Sequence, residues 1–273
     1  MRSLRPDASR IDRPTTERYW DAVASDAAPD GFHALWRRHS DAVNGAPLAR
    51  WLPRAPVAET LKTDLFDEAV TDGLYPLLAT RSRRVVGIDI SSPIVAAART
   101  RHPQLDAVRA DVRALPFRAG RFDVAISLST LDHFESLEGL HAGLAEIHRT
   151  LRRGGRLVIT LDNPANPAVA LRNALPFAPL NRIGLVPYYV GATCGRRRLE
   201  AILAASGFDV LATTAVLHAP RAPAVLLAAA VERWAGDRAE RRTLDALLRC
   251  ERLTAWPTRY LTGHFVAALA QRR

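Results

Sequence analysis

Polar side chains with the chemistry for binding or proton transfer directly follow several apolar runs of the chain. Asp89 ends the run R-V-V-G-I-D, and Asp132 and His133 follow F-D-V-A-I-S-L-S-T-L. A carboxylate has two acceptor oxygens that match the hydroxyls of a ribose, which predicts a nucleotide-like ligand at Asp89. His133 is a candidate catalytic base because the pKa of histidine is ordinarily close to neutrality, and Asp132 is its neighbour. The structural alternatives are a helix cap for Asp89 and an ordinary hydrogen bond for His133.

The stretch E-T-L-K-T-D-L-F-D-E-A-V-T-D-G-L, residues 59–74, concentrates charge where a first strand is expected to end. Lys62 is the only lysine of a chain whose Lys and Arg together number 38. It can bind a phosphate or a carboxylate as a point charge, and Asp64 or Asp67 can bind an ammonium group. A metal held by Asp64, Asp67 and Glu68 and a solvated helix start are the alternatives. No metal is predicted.

Another set of candidates follows later strands. Thr130 follows F-D-V-A-I-S-L, T-L-D-N-P-A-N-P contains Asn163 and Asn166, and V-P-Y-Y-V contains Tyr188 and Tyr189. These hydroxyl and amide groups are predicted to line the pocket of an acceptor molecule. For the asparagines, turn formation by the Asn-Pro pairs is an equally simple interpretation.

Short apolar runs alternate with helical patterns from residue 57 to residue 270, which is typical of βαβ units around a parallel sheet. Apolar residues at spacings of three and four predict an amphipathic helix over 137–151 that stops at Gly154-Gly155. The seven predicted strands are residues 60–63, 84–89, 106–110, 122–128, 156–161, 210–216 and 264–269. In such sheets ligands bind at the carboxyl ends of the strands, where the candidates above collect.

The predicted organisation is an N-terminal helical cap, residues 1–55, followed by an α/β domain over 56–273. T-E-R-Y-W-D-A-V-A and F-H-A-L-W-R-R-H-S are the predicted helices of the cap. Within the domain, residues 163–195 form a long excursion predicted to be a lid, and residues 220–255 form a helical insert. Resting on a membrane surface and packing on the cap are the alternatives for the lid.

The composition favours a soluble globular protein in a reducing compartment. Hydrophobic residues make up 48% of the 273 residues, and the two cysteines provide no disulfide framework. The N-terminal M-R-S-L-R-P-D lacks the apolar core of a secretory signal, so the cytoplasm is the expected location. The net charge of +10 comes from dispersed arginines, so a small-molecule acceptor is expected as partner rather than nucleic acid.

Four motifs, R-V-V-G-I-D, A-D-V-R-A-L-P-F, R-F-D-V-A-I-S-L and R-T-L-R-R-G-G-R-L-V-I-T, resemble class I S-adenosylmethionine (SAM)-dependent methyltransferases of the small-molecule, type 11-like kind. The resemblance implies SAM as cofactor and a Rossmann-like sheet whose last strand is antiparallel. It implies that Asp89 and Ile90 hold the ribose. Asp111 and Val112 would face the adenine, and Ser127 begins the segment beside the methyl donor.

The first loop departs from the family pattern. In the family the first strand ends in an acid followed by G-x-G-x-G, whose glycines let the backbone approach the methionine part of SAM. Here no glycine appears until Gly73, and Lys62 or Asp64 stands at the position of the acid. Lys62, Asp64 and Asp67 are therefore predicted to meet the charged ends of the methionine. A different nucleotide-like ligand and loss of the cofactor are the alternatives.

The sequence thus predicts SAM-dependent methyl transfer to a small, apolar acceptor, such as a secondary metabolite or a lipid-linked intermediate. In-line transfer depends mainly on proximity and orientation, so few catalytic side chains are needed. The second hypothesis is a non-catalytic or repurposed member of the fold that binds another nucleotide-like ligand or a protein partner. A nucleic-acid methyltransferase is not favoured, because S-T-L-D-H-F replaces the N/D-P-P-Y/F/W type of motif that such enzymes often carry.

Overall fold

The computed structural model describes residues 17–26, 34–182, 186 and 188–273, and its centre is one sheet of seven strands. The strands are β1 (Val57–Lys62), β2 (Ser82–Asp89), β3 (Asp106–Arg109), β4 (Phe122–Leu128), β5 (Leu151–Asp162), β6 (Phe208–Val216) and β7 (Phe265–Arg272). Their order across the sheet is β3-β2-β1-β4-β5-β7-β6. The pairs among β1 to β5 are parallel, and β7 is antiparallel to both of its neighbours. The predicted Rossmann-like sheet with an antiparallel last strand is confirmed.

Helices surround this sheet. Those of the described residues are α1 (Glu17–Asp26), α2 (Ala34–Trp51), α3 (Phe66–Val70), α4 (Tyr75–Arg81), α5 (Ser92–Arg101), α6 (Leu137–Thr150), α7 (Pro167–Ala174), α8 (Phe177–Arg182), α9 (Arg196–Ala205), α10 (Arg221–Trp234), α11 (Asp237–Arg249) and α12 (Arg259–Thr262). Short 3-10 turns span Leu131–His133 and Cys250–Ala255. In the described ranges, no helix is both long and apolar enough to cross a membrane.

Both faces of the sheet are buried, as the continuous apolar runs of its strands require. In β5, Leu157 and Ile159 belong to one apolar cluster and Val158 belongs to the other. Side chains of α6 and α9 close the first cluster, and side chains of α4 and α5 close the second. Leu48 of α2 and Leu52, which directly follows the helix, lie in the second cluster as well. The end of α2 is therefore part of the main core.

The glycine pair predicted to end α6 lies inside β5 instead. The helix ends at Thr150, and β5 begins at Leu151, which pairs with Phe122. The register between β4 and β5 shifts between Phe122 and Val124, and Gly154 has a φ of 73°. That left-handed conformation favours glycine, and it occurs commonly in β-bulges. The predicted position of the helix end was wrong because a bulged strand uses the same residue type.

The segments outside the alternating pattern contain short helices. Residues 163–195 include α7 and α8, and residues 220–255 include α10 and α11. Helices α10 and α11 both pack against α2. Residues 1–16, 27–33, 183–185 and 187, which belong to the predicted cap and lid, lie outside the described residues. The division into cap, domain and lid stays a prediction.

Candidate functional site

Asp89 ends β2 at the carboxyl edge of the sheet and binds two backbone groups. Its Oδ1 accepts a hydrogen bond from the Ser91 N–H (2.9 Å), and its Oδ2 accepts one from the Leu65 N–H (3.1 Å). Burial, together with the nearby charge of Asp64, raises the pKa of Asp89 to about 7. Each oxygen keeps another acceptor position, so the carboxylate can still receive the hydroxyls of a ribose. Ile90, the next residue, is half-buried.

Asp111 follows β3 and forms a bidentate ion pair with Arg113. Arg113 Nε lies 3.0 Å from Oδ1, and Nη2 lies 2.6 Å from Oδ2. The Cζ of Arg113 is 4.8 Å from the centroid of the Phe134 ring. Val112 is buried in the apolar core. An adenine amine would have to share Asp111 with Arg113, so the predicted adenine contact stays a prediction.

Lys62, the last residue of β1, forms a buried ion pair. Its Nζ donates to Glu68 Oε2 (2.7 Å) and to the Asp64 carbonyl oxygen (2.5 Å), and it lies 3.7 Å from Asp64 Oδ2. Burial acts to lower the pKa of Lys62, but the carboxylates of Glu68 and Asp64 outweigh it and hold the pKa above its ordinary value. The other oxygen of Glu68 accepts the Leu74 N–H (3.0 Å). Oxygens of its own loop thus bind the ammonium of Lys62, and its predicted contact with a ligand carboxylate stays a prediction.

Leu65, not a glycine, makes the close approach between the first loop and the sheet. Its side chain is fully buried against Gly87 of β2, where any Cβ would overlap it. The loop then enters α3, whose Phe66 N–H donates to Asp64 Oδ1 (2.9 Å). This oxygen of Asp64 therefore binds a backbone N–H at the start of a helix, as the structural alternative for the acidic residues of this loop predicts. The glycine that permits the approach lies on β2, within R-V-V-G-I-D.

Helix α2 closes over the acidic loop. Arg37 Nη1 lies 3.1 Å from Asp67 Oδ1, and Arg37 Cζ is 5.2 Å from the centroid of the Phe66 ring. Asp41 of the same helix has its pKa raised to about 7 by burial and by the charges of Asp67 and Glu68. In the described part of the chain, no group of three or more His, Cys, Asp or Glu side chains is arranged to hold a metal ion. Asp67 is thus balanced by a basic side chain that the sequence did not associate with it.

His133 lies in the short turn after β4, and its ring has a defined tautomer. Its Nδ1 is 2.7 Å from the Tyr189 carbonyl oxygen, and because that oxygen can only accept, we assign the proton to Nδ1. Trp20 of α1 and Tyr188 pack edge-on against the ring, with centroid distances of 4.8 and 5.3 Å. In the neutral ring, Nε2 then carries the lone pair that can take a proton. This geometry supports His133 as the candidate base.

Asp132, the neighbour of His133, has no exposed surface. Its Oδ2 accepts hydrogen bonds from Ser129 Oγ (3.1 Å) and from the Asp162 N–H (2.9 Å). Burial raises the pKa of Asp132 to about 6. With no exposed surface, the side chain is placed to position other groups, and the catalytic role predicted for Asp132 stays a prediction. It joins the end of β4 to the end of β5.

Ser127 and Thr130 lie at the end of β4. Ser127 Oγ is fully buried and has no hydrogen-bond partner among the residues that the structure describes. Its neighbours cover it, so its predicted contact with a cofactor stays a prediction. Thr63 Oγ1 donates to Thr130 Oγ1 (3.1 Å), which joins the ends of β1 and β4. The predicted substrate contact of the half-buried Thr130 also stays a prediction.

Asn163 and Asn166 form the turn after β5. Asn163 Nδ2 donates to the carbonyl oxygens of Tyr260 (2.6 Å) and Gly263 (3.0 Å). Asn166 caps α7 by accepting the Ala168 N–H (2.9 Å). Both amides bind the backbone, which fits the turn and capping alternative, and the acceptor contacts predicted for them stay predictions.

Helix α1 lies across the carboxyl edge of the sheet and contacts both parts of the site. Ser91 Oγ donates to Asp21 Oδ1 (2.7 Å) at the end of β2. The Tyr189 N–H donates to Tyr19 Oη (2.7 Å), and Trp20 packs against the ring of the candidate base. The sequence placed this helix in a cap but gave no sign that it reaches the site, because the contacts join segments far apart in the chain.

A cavity of about 240 Å³ lies beside Tyr189. Phe177, Leu180 and Val186 supply apolar walls, and Arg172 also lines it. Arg172 forms an ion pair with Asp162, which is buried. Arg172 was not among the predicted site residues, because a single arginine in an apolar excursion has no distinguishing local pattern.

The chain is similar to known methyltransferases in sequence and in fold. The family model described as a methyltransferase domain matches residues 69–159. A demethylmenaquinone methyltransferase of Thermus thermophilus is 32% identical over 189 residues, which cover 61% of this chain and 84% of the relative. Another, of Beutenbergia cavernae, is 34% identical over 139 residues, which cover 50% of this chain and 51% of the relative.

A solved structure has the same fold. It is the geranyl diphosphate C-methyltransferase of Streptomyces coelicolor A3(2), in complex with Mg²⁺, geranyl diphosphate and S-adenosyl-L-homocysteine. The TM-score is 0.56 at 15% identity, with 98% of this chain and 88% of that chain covered.

This chain belongs to the class I SAM-dependent methyltransferases, a family of enzymes whose cofactor is SAM. The resemblance stated from the sequence is thereby confirmed. The chain spans about half the length of several curated relatives that it matches.

The residues at the edge of the sheet fit SAM. Asp89 keeps acceptor positions for the ribose hydroxyls, and the side chain of Asp64 is 30% exposed and can receive the ammonium group of the methionine. Lys62, one of the two candidates for the position of the family's acid, is neutralised by Glu68, so it does not repel that ammonium group. A loop without glycines therefore keeps the charge that the cofactor requires.

Proposed function

We propose that this chain transfers a methyl group from SAM to a small acceptor with an apolar body. The observation that carries the proposal is the 2.7 Å contact between His133 Nδ1 and the Tyr189 carbonyl oxygen, which assigns the proton to Nδ1 and leaves Nε2 as a proton acceptor at the end of β4. When bound, SAM supplies an electrophilic methyl group. In-line transfer depends mainly on orientation, so one positioned base is sufficient side-chain chemistry.

The two ends of the cofactor would be held by different kinds of residues. Asp89 and Ile90 would hold the ribose, and Asp111 would meet the adenine amine with Val112 behind it. Asp64 would meet the ammonium group through Oδ2. This oxygen lies 3.7 Å from Lys62 Nζ and has no shorter polar contact in the described ranges, whereas Oδ1 accepts the Phe66 N–H. The ion pairs around the loop would keep this arrangement in place before the ligand binds.

His133 would remove a proton from the nucleophilic atom of the acceptor. The Tyr189 carbonyl accepts the hydrogen bond of Nδ1–H and stabilises the imidazolium that forms when Nε2 takes the proton. Trp20 and Tyr188 fix the plane of the ring and shield it from water. Oxygen, nitrogen and activated carbon nucleophiles are all compatible with this role.

An apolar body in the acceptor is supported by the names of the relatives and by one part of the cavity beside Tyr189. Phe177, Leu180 and Val186 line that part, while Glu135, Arg172 and Asn173 make the rest of the lining polar. Two relatives are named for demethylmenaquinone, and one solved structure holds geranyl diphosphate. We propose a secondary metabolite or a lipid-linked intermediate, and a cytoplasmic location. Leu171 and Leu175 of the predicted lid are exposed, which keeps contact with a membrane surface as an alternative for this segment.

Calorimetric titration with SAM and with S-adenosylhomocysteine tests the cofactor. We expect binding that weakens at least tenfold in Asp89→Ala, since the carboxylate hydrogen bonds to the ribose are charge-assisted. Asp209→Asn is the control, because Asp209 is exposed at the amino end of β6, away from the site. Absence of heat in a folded protein would refute the proposal.

Ligand binding without methyl transfer is a second candidate function. The observation that favours it is the first loop, where Leu65 and the Lys62–Glu68 ion pair occupy the place of a glycine-rich turn. In that case a nucleotide such as ATP would give heat that depends on Asp89, while SAM would give none.

A further inference from the structure

Among the residues that the structure describes, Arg221 has no carboxylate partner for its positive charge. It is the first residue of α10 and is half-buried. Its Nη2 donates to Tyr188 Oη (2.7 Å), and its Cζ lies 5.7 Å from the centroid of the Tyr188 ring. Among the described residues, this tyrosine is the only partner of the guanidinium. Tyr188 is uncharged when its hydroxyl is protonated, so it does not neutralise the arginine.

Three acids whose charges act on Arg221 have other direct partners. Asp162 pairs with Arg172, and Asp67 pairs with Arg37. The carboxylate of Asp132 is held by a serine hydroxyl and a backbone N–H. A partly desolvated charge without a counter-ion is unfavourable, and a guanidinium has five N–H donors in a planar fork. Arg221 therefore has donors left for an oxyanion from outside the chain.

Tyr188 connects this guanidinium to the candidate base. The centroid of its ring lies 5.3 Å from that of His133, while its hydroxyl contacts Arg221. One small acceptor can therefore reach both groups. His264 does not add a competing positive charge, because burial lowers its pKa to about 4.

We propose that Arg221 and Tyr188 bind an oxyanion of the acceptor, a carboxylate or a phosphate, and so hold its nucleophilic atom at His133. This inference rests on the proposed methyl transfer and narrows its substrate class to acceptors that combine an apolar body with an anionic group. A guanidinium binds either anion through parallel N–H donors, and a lysine at this position would act only as a point charge.

The test is calorimetric titration with two probes, inorganic diphosphate and benzoate, on wild type, Arg221→Gln, Arg221→Lys and Tyr188→Phe. We expect wild type to bind one probe, with affinity lower by about 10- to 100-fold in Arg221→Gln, as loss of charge-assisted hydrogen bonds implies. Arg221→Lys should be intermediate, and Tyr188→Phe should lose less. Diphosphate binding would identify a phosphate acceptor, and benzoate binding a carboxylate acceptor.

Arg233→Gln is the matched control, because Arg233 lies exposed at the other end of α10 and its removal changes the net charge equally. Equal weakening in Arg233→Gln, or no binding of either probe to wild type, would overturn the proposal. S-adenosylhomocysteine is titrated into the same proteins, and Arg221→Gln should leave its affinity within about twofold. If S-adenosylhomocysteine does not bind but a probe anion binds and depends on Arg221, the proposed methyl transfer is refuted and the anion site is not. If Arg221→Gln does not fold, the anion affinities of Arg221→Lys and Arg233→Gln are compared instead. Weaker binding in Arg221→Lys than in Arg233→Gln supports the proposal, and equal affinities overturn it.

Discussion

Replacing Lys62 by methionine would leave Glu68 as a buried carboxylate without its counter-ion. Lys62 is 4% exposed and Glu68 1% exposed, and their charged atoms are 2.7 Å apart. Removing one partner of such a pair costs about 3–5 kcal/mol, because the remaining charge has neither water nor a partner. For a domain of this size, that loss lowers the melting temperature by roughly 6–20 °C.

The assay is urea unfolding of wild type, Lys62→Met and the double variant Lys62→Met/Glu68→Gln. The double variant should recover more than half of the lost free energy of unfolding, since glutamine is neutral and can still accept the Leu74 N–H. Arg84→Met is the control. Arg84 pairs with Asp106 and, at 3.4 Å, with Glu59, but its side chain is 54% exposed, so the cost should stay below about 1 kcal/mol.

The loss should also depend on pH. Burial raises the pKa of Glu68, so without Lys62 the carboxyl group takes up a proton as the pH falls through its raised folded-state pKa. The protonated group carries no buried charge, and the penalty of Lys62→Met should therefore be larger at pH 8 than at pH 5. A penalty below about 1 kcal/mol at pH 8, or a double variant as unstable as the single one, would refute this account of the loop.

Three further predictions concern the same edge of the sheet. Gly87→Ala should lower the free energy of unfolding by about 1–3 kcal/mol, measured in urea, because its Cβ would overlap Leu65. Leu65→Ala removes a buried side chain and is itself destabilising, so the double variant should lose less than the sum of the two single losses. A neutral Gly87→Ala would contradict the contact. His133→Gln should lower kcat by about 10²- to 10⁴-fold in a methyl-transfer assay while calorimetry shows SAM affinity unchanged, and full activity would remove His133 as the base. The affinity for SAM should rise as the pH passes upward through about 7, where Asp89 ionises and accepts hydroxyl hydrogen bonds more strongly. Asp89→Asn should make the affinity independent of pH in this range. An unchanged pH dependence in that variant would show that another group is responsible.

The elements could be predicted because their signals are local. Leu140, Leu144 and Ile147 of α6 recur on one face, and all are fully buried. The runs that became β2 and β4 ended at the predicted residues. Such periodic patterns are determined by burial of one face, which the sequence states directly.

The contacts of the site could be predicted only in part, because most of them join distant segments. Asp89 and His133 were identified from their place after a strand. The contact of Leu65 with Gly87, and that of Tyr188 with Arg221, bring together residues that no local pattern relates. Their identity depends on how the loops fold back on the sheet, and no spacing rule contains that information.

Helix α1 connects the two halves of the site, which gives binding at one half a route to affect binding at the other. Its ten residues span about 15 Å and contact the end of β2 through Asp21 and the predicted lid through Tyr19. A ligand that orders this helix at one end lowers the entropy cost of ordering it for a ligand at the other end. The resulting coupling free energy is reciprocal, so the acceptor must tighten binding of the methyl donor by the same factor by which the donor tightens binding of the acceptor.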